Sequence, residues 1–240
     1  GALSWGDAPH FFPEELKELV GEPLAWANRG YGFGGVNAFL WISPLMLLYG
    51  LLGNFLGNDL TIRLLFYFPS VIFAGLGTYL LTGYLKFSNT VRFFATLTYL
   101  LNTYYLLLID GGQAGVALAY GIFPFTLLHL KKLIDSPSTK TFYSSLLFLV
   151  LSSIADPRIA MISVMAIVVW QILDLKVKTL VYVVPLIACW IGINMYWIFP
   201  LLRNGLEGLP VSSSGPETMS WYNPLLLFSP HWPANLFGKI

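Results

Sequence analysis

From Leu60 to Leu201 the chain alternates helix-length apolar runs with connectors of a few polar residues. Within each run the apolar residues are continuous and do not switch at every second position, so a transmembrane barrel is excluded in favour of helices. The pattern predicts six helical spans: Leu60–Tyr84, Val91–Ile109, Ala114–Leu130, Phe142–Ala155, Ile159–Leu173 and Leu180–Leu201. Residues 1–37 ahead of them are polar, aromatic and Gly-rich, and read as an extracytoplasmic loop. Within that loop Pro13-Glu14-Glu15 opens a short interfacial helix, with Pro at the helix start and acids in its first turn. Leu16, Leu19 and Val20 share its apolar face. Residues 202–240 return to the same polar, Pro- and Trp-rich character as a second extracytoplasmic loop.

The connectors differ in charge. One set holds Lys86, then Lys131, Lys132 and Lys140, then Lys176 and Lys178; the alternate set holds Asp59, Asp110 and Asp156. Lysines accumulate on the cytoplasmic side of polytopic membrane proteins, so the acidic connectors face outward. The run Ala38–Phe55 is apolar but broken by Pro44, Gly50 and Gly53. Counting it as a crossing would turn every lysine outward. Residues 38–57 are therefore expected to form an interfacial or re-entrant helix on the outer side, ahead of a six-span bundle over 58–201.

The pair Phe142–Ala155 and Ile159–Leu173 is short. About 14 residues at ~1.5 Å each reach ~21 Å, against a hydrocarbon core of ~30 Å. The tip Asp156-Pro157-Arg158 would then lie at membrane depth, where ionisable groups face a wet cavity or a partner. This predicts an outward-open cavity with Asp156 and Arg158 on its wall. In the competing reading, Ser138 to Thr141 lengthen the first helix and Asp156 caps the second.

Composition narrows the class further. Of 240 residues, 56% are hydrophobic and 10% charged, with a mean hydropathy of +0.69, whereas a soluble domain carries roughly 25% charged residues. The fold class is all-α integral membrane. A net charge of +1 without a polybasic patch excludes nucleic acid as a partner. The lone Cys189 lies inside an apolar run and is expected to be buried. The chain begins at Gly1 and has no apolar leader, so it reads as part of a longer protein. Gly30-x-Gly32-x-x-Gly35 matches the dinucleotide fingerprint in letters, but no βαβ unit is expected around it, and a glycine loop is the better account.

Four acidic motifs fall on the expected outer face. In Ser4-Trp5-Gly6-Asp7-Ala8-Pro9-His10, Asp7 follows glycine and precedes an extended Ala-Pro unit, which presents a carboxylate in a rigid loop. A general base needs that accessibility. His10 is placed to orient Asp7 or a phosphate; an Asx-turn role for Asp7 is the alternative. Asp110-Gly111-Gly112-Gln113 is a tight turn at a helix N-terminus, suited to an anion or sugar hydroxyls, and Gln113 offers both a donor and an acceptor. Asp156-Pro157-Arg158 sets a guanidinium where it can meet a phosphate, or pair with its own carboxylate. Glu217, in Gly215-Pro216-Glu217-Thr218, brings a further acid to this face, or a solvated loop.

An outer loop with Gly6-Asp7, then a Gly-rich stretch and an interfacial apolar helix, resembles the GT-C superfamily of membrane glycosyltransferases. The run from Asp110-Gly111-Gly112-Gln113 through the small-residue helix to Pro124 is similar to its arabinofuranosyltransferase-like and YfhO-like branch, as are Asp156-Pro157 and the segment Tyr196 to Leu202. The resemblance implies a GT-C helical bundle and a sugar carried on a polyprenyl phosphate or diphosphate. It implies a glycan, lipid or protein acceptor outside the membrane, with membrane lipids as surroundings. Asp7 would act as base on the acceptor hydroxyl, while Asp110, Gln113, Asp156 and Arg158 bind donor or acceptor. No cofactor is required, although a divalent cation is compatible. The chain departs from the family pattern in two ways: the preceding span is missing and no second Asp stands beside Asp7; any soluble carbohydrate-binding domain is expected outside this chain. The expected activity is an inverting, metal-independent sugar transfer at the outer face of the plasma membrane. The rival readings are a transporter or flippase-like carrier, which broken helices would suit, and a non-catalytic scaffold with the same fold.

Overall fold

The computed structural model describes residues 40–174 and 179–204, and ahead of them Lys17, Val20, 26–27 and 35–36. Asp7, His10, Glu217, Lys176 and Lys178 lie outside the described residues. A short 3-10 turn at Leu40–Ile42 leads into α1 (Ser43–Leu56). Then follow α2 (Asn58–Tyr84, with a π-helical segment at Arg63–Tyr67), α3 (Asn89–Leu101) and α4 (Thr103–Asp110). The remaining helices are α5 (Ala114–Asp135), α6 (Thr139–Ala155), α7 (Pro157–Asp174) and α8 (Leu180–Asn204). The described strands are Trp26–Ala27 and Gly35–Val36, paired antiparallel. A two-residue strand precedes the glycine motif, but it closes an antiparallel pair and not the parallel βαβ unit a dinucleotide site needs.

Four helical segments are long and apolar enough to cross a membrane, which marks the chain as a membrane protein: Asn58–Tyr84, Asn89–Asp110, Ala114–Asp135 and Leu180–Pro200. The pair α6 and α7 is shorter, although longer than the apolar runs alone. A capping box between Ser138 and Thr141 starts α6 at Thr139, so it has 17 residues and a length of about 25 Å. The second span is not one helix. Asn102 sits in extended backbone (φ −69°, ψ 147°) between α3 and α4. Its Oδ1 accepts the Tyr105 N–H at 2.9 Å, and its Nδ2 donates to the Tyr99 carbonyl and the Tyr120 hydroxyl. The break is tolerated at depth because the side chain satisfies the freed backbone groups.

The central helix is α5, with 61% of its apolar window buried against 33, 11 and 22% for the other three long segments. Small residues let its neighbours approach closely. A Cβ at Gly121 would overlap the Ser70 carbonyl oxygen, and one at Gly115 would stand 2.9 Å from the Ala155 carbonyl oxygen. Contacts between α2 and α5 advance together along both helices. Ser70 Oγ donates to the Ala117 carbonyl at 2.6 Å, Gly77 abuts Phe125, and the Tyr84 hydroxyl donates to Asp135 at 3.0 Å. The two helices are parallel. By the same reading α6 runs against α5, since Gly115 faces Ala155 while His129 stacks on Phe148. In turn α8 runs with α6, since Val183 and Leu186 pack with Phe142 and Leu146 while Asn194 bonds Ser153.

These directions gather Gly57, the turn 111–113 and Asp156 at one end of the bundle, the acidic end. Lys86, Lys131, Lys132 and Lys140 gather at the other. Closing the lysine end is an apolar cluster of Leu130, Leu133, Ile134, Ile167, Val183 and Leu186. Because Tyr84 is level with Asp135 and α2 is five residues longer than α5 (27 against 22), α2 overtops α5 by about 7 Å at the acidic end. Both ends of α1 also lie there. Ile42 borders Gly115, and Leu56 passes through Gly57 (φ +77°) directly into α2. Thus α1 and the first turns of α2 stand as a wall above a recessed floor.

One expectation about α8 fails. Cys189 is exposed on the surface of the helix, because the buried stripe through Val183, Leu186, Trp190 and Asn194 faces the bundle and Cys189 falls beside it.

Candidate functional site

The recess at the acidic end holds a cavity of about 260 Å³. Its apolar wall is Trp41, Ile42, Met46 and Phe66, from the 3-10 turn, α1 and the π-helical segment of α2. Its polar side is the segment 112–116 at the start of α5, together with Asp156 and Arg158 from the α6–α7 turn. Gly112 takes a positive φ (+72°), a conformation that favours glycine and reverses the chain between α4 and α5.

Three of the residues singled out in the sequence, Gln113, Asp156 and Arg158, line this cavity. Asp110 does not; it is exposed at the end of α4, two residues before Gly112. Asp7, His10 and Glu217 fall outside the described residues.

Asp156 satisfies both readings of its turn at once. Its Oδ1 accepts the Arg158 backbone N–H at 2.8 Å, the bond of a helix cap. Its two oxygens also receive the Arg158 guanidinium, Nε at 3.0 Å and Nη2 at 2.6 Å. The carboxylate is 3% exposed, whereas the Arg158 side chain is 74% exposed. These bonds hold the guanidinium against the buried carboxylate. The pair contributes no net charge, and the Asp156 lone pairs are committed. Asp156 is therefore an anchor and not a base. The Nη1 edge of Arg158 has no partner among the described residues and remains available.

The start of α5 adds further donors. No side chain caps this helix, and the Gly115 and Val116 amides, both on the cavity, have no acceptor among the described residues. Uncapped N–H groups at a helix N-terminus favour anions and polar oxygens. Gly115 has to be small for this geometry, since α5 begins hard against the Ala155 carbonyl.

Sequence reasoning missed several participants. Trp41 forms a wall of the cavity, and the Tyr196 hydroxyl donates to its carbonyl at 2.6 Å. Its ring meets Trp197 edge-on, with centroids 6.4 Å apart. Tyr104 on α4 lies within electrostatic range of Asp156 and Arg158. Tyr196 bonds to a residue 155 positions earlier, and a pairing over that distance leaves no local signal. Among the described residues no three His, Cys, Asp or Glu side chains come together to hold a metal ion. Comparison with protein-family models, with curated proteins and with solved structures finds no match.

Proposed function

We propose that the chain is the membrane part of a GT-C-type glycosyltransferase that moves a sugar from a polyprenyl-phosphate donor to an acceptor outside the cytoplasm. The observation that carries this reading is the recessed cavity at the acidic end. There Gln113, the Arg158 guanidinium and the uncapped start of α5 converge beside an apolar wall. Such a site suits a polar headgroup whose lipid tail stays among apolar helices. The lysines at the opposite end support an extracytoplasmic orientation in the plasma membrane.

In the proposed reaction Asp7 accepts the proton of the acceptor hydroxyl. The oxygen attacks the anomeric carbon, the bond from that carbon to the phosphate oxygen breaks, and the lipid phosphate leaves with the electron pair. The Arg158 edge and the Gly115 and Val116 amides would stabilise the charge developing on the phosphate. The chemistry needs no cofactor. Transfer from polyprenyl-phosphate sugars by membranes containing the full protein tests it. Asp7→Asn should abolish transfer with folding intact, and an undiminished rate would reject the role of Asp7.

The broken helix at Asn102 favours a second reading, a carrier that moves its ligand across the bilayer. Ion-coupled uptake into sealed vesicles, without any transfer product, would decide for it.

A further inference from the structure

We infer that Arg92, together with Lys86, binds the headgroup of an anionic phospholipid in the groove between α2 and α3 at the lysine end. The site lies at the opposite end of the bundle from the cavity and does not depend on the transferase reading.

Arg92 is a guanidinium held in one place. Its Cζ sits over the Tyr79 ring, 3.7 Å from the centroid. Its Nε donates to the Tyr79 carbonyl at 3.2 Å, and its Nη1 donates to Asn89 Oδ1 at 3.1 Å. Gly83 makes the room, since a Cβ there would stand 2.8 Å from Cζ. Among the described residues Nη2 has no partner, and no carboxylate pairs with Arg92. A cation held by a ring and two neutral oxygens stays uncompensated, and its planar fork suits phosphate oxygens.

Lys86 supplies a second cation from a strained backbone. Two bonds close the end of α2: Phe87 N–H to the Thr82 carbonyl at 3.1 Å and Lys86 N–H to the Gly83 carbonyl at 3.0 Å. Glycine usually takes the left-handed position in this kind of helix stop, yet here Lys86 does, with φ +65°. Strain of this sort collects at functional positions. Lys86 is exposed, has no ion pair among the described residues, and is bonded through its backbone to the glycine on which the guanidinium rests. The neighbouring lysines are engaged: Lys131 pairs with Asp135, and Lys132 Nζ lies 5.5 Å from the centre of the Tyr84 ring.

The surroundings of the two cations name the occupant. The segment Asn89–Asp110 has 22 residues and is about 33 Å long, close to a hydrocarbon core of ~30 Å. Its first turn, which carries Arg92, therefore lies where hydrocarbon gives way to headgroups. Leu85, Phe87, Phe93 and Phe94 are exposed around it and face acyl chains in a membrane. A molecule that puts phosphate on the cations and hydrocarbon over these side chains is a phospholipid. Two cations favour a headgroup of net negative charge over a zwitterionic one, whose ammonium they repel.

The test uses the full chain purified in detergent and titrated with phosphatidylglycerol or phosphatidylcholine of the same acyl chains, with native mass spectrometry reading the bound lipid. The parent protein should bind its first phosphatidylglycerol about fivefold more tightly than phosphatidylcholine, and Arg92→Gln should remove about fivefold, the effect of one cation near the membrane surface. Gly83→Ala keeps every charge and pushes the guanidinium off Tyr79, so it should weaken binding about two- to threefold. Lys86→Gly relieves the turn, so it should melt no lower than the parent while losing part of the preference. Lys140→Gln, at the same end on α6, should bind as the parent does. If Arg92→Gln does not fold, Gly83→Ala and Lys86→Gly decide. Equal binding of the two lipids by the parent, or phosphatidylglycerol binding unchanged in Arg92→Gln or in Gly83→Ala and Lys86→Gly, overturns the inference. So does a loss in Lys140→Gln as large as that in Arg92→Gln, which would reduce the effect to the general charge of this end. Competition by inorganic phosphate at the concentration of the lipid overturns it too, since the groove would then read phosphate without its acyl chains.

Discussion

The ion pair at the cavity wall is lopsided, and removing its two members should have unequal effects. Asp156 is 3% exposed and Arg158 is 74% exposed in its side chain. Arg158→Ala strands a buried carboxylate with only the Arg158 backbone N–H as partner. Breaking a fully buried pair costs about 3–5 kcal/mol, and here an open cavity admits water, so about 2–3 kcal/mol is expected. Asp156→Asn keeps an oxygen for the helix cap and leaves a guanidinium that water can solvate. Its cost should be about 1 kcal/mol, from one imperfectly partnered buried amide. The double variant should recover part of the Arg158→Ala loss, since no charge is then stranded. Denaturant titration in lipid–detergent micelles measures all three. At roughly 2–4 °C per kcal/mol for a chain of this size, Arg158→Ala should melt about 4–12 °C below the parent protein. The reasoning fails if Asp156→Asn costs as much as Arg158→Ala, or if the double variant is less stable than Arg158→Ala alone.

Two further outcomes follow from the packing. Gly115→Ala and Gly121→Ala place a methyl group against the backbone of α6 and α2, and each should cost about 1–3 kcal/mol by thermal unfolding. Gly192→Ala meets nothing within 4 Å and should be neutral or stabilising by up to about 1 kcal/mol, which serves as the control. Cysteines placed at Lys86 and at Asp110, in a Cys189→Ser background, should react with a membrane-impermeant maleimide from opposite faces of the bilayer; labelling from one face would overturn the assignment of ends.

What the sequence made legible was the helices and the ends at which their connectors gather, because span length and charge are local properties. The tip at Asp156 was legible too, since a short apolar pair with an ionisable turn calls for a cavity, a cap or an ion pair. All three occur together, and no local pattern could rank them. The break at Asn102 was not visible, because Val91–Ile109 is apolar on both sides of a single asparagine. Whether that asparagine breaks the helix depends on the Tyr120 hydroxyl 18 residues later. Trp41 was hidden for a related reason. Its clamp comes from Tyr196 and Trp197, and an aromatic pair of that kind reads equally well as an interfacial belt. The exposure of Cys189 depends on which stripe of α8 the other helices cover, which a uniformly apolar helix does not announce.

The arrangement of polar groups divides the bundle into a closed half and an open half. At the lysine end six aliphatic side chains seal the core, α6 starts with a complete capping box, and Lys131 pairs with Asp135 at 2.7 Å. At the acidic end α5 starts uncapped, the chain reverses through glycine, and α4 is an eight-residue half-helix cut from α3 at Asn102. The sides of the cavity accordingly arise from different parts of the chain. Gly112 and Gln113 follow directly from α4. Trp41 and Arg158 are tied to α6, α7 and α8 through Tyr196, Trp197, Asn194 and Asp156. Tyr105, bonded to Ser70 at 2.6 Å and stacked on Tyr120 with centroids 5.1 Å apart, and Leu108, buried with Ala117, join α4 to α2 and α5. A ligand seated in the cavity contacts the start of α5, the 3-10 turn with α1, and the α6–α7 turn at once. Its binding energy is therefore available to hold these three segments together.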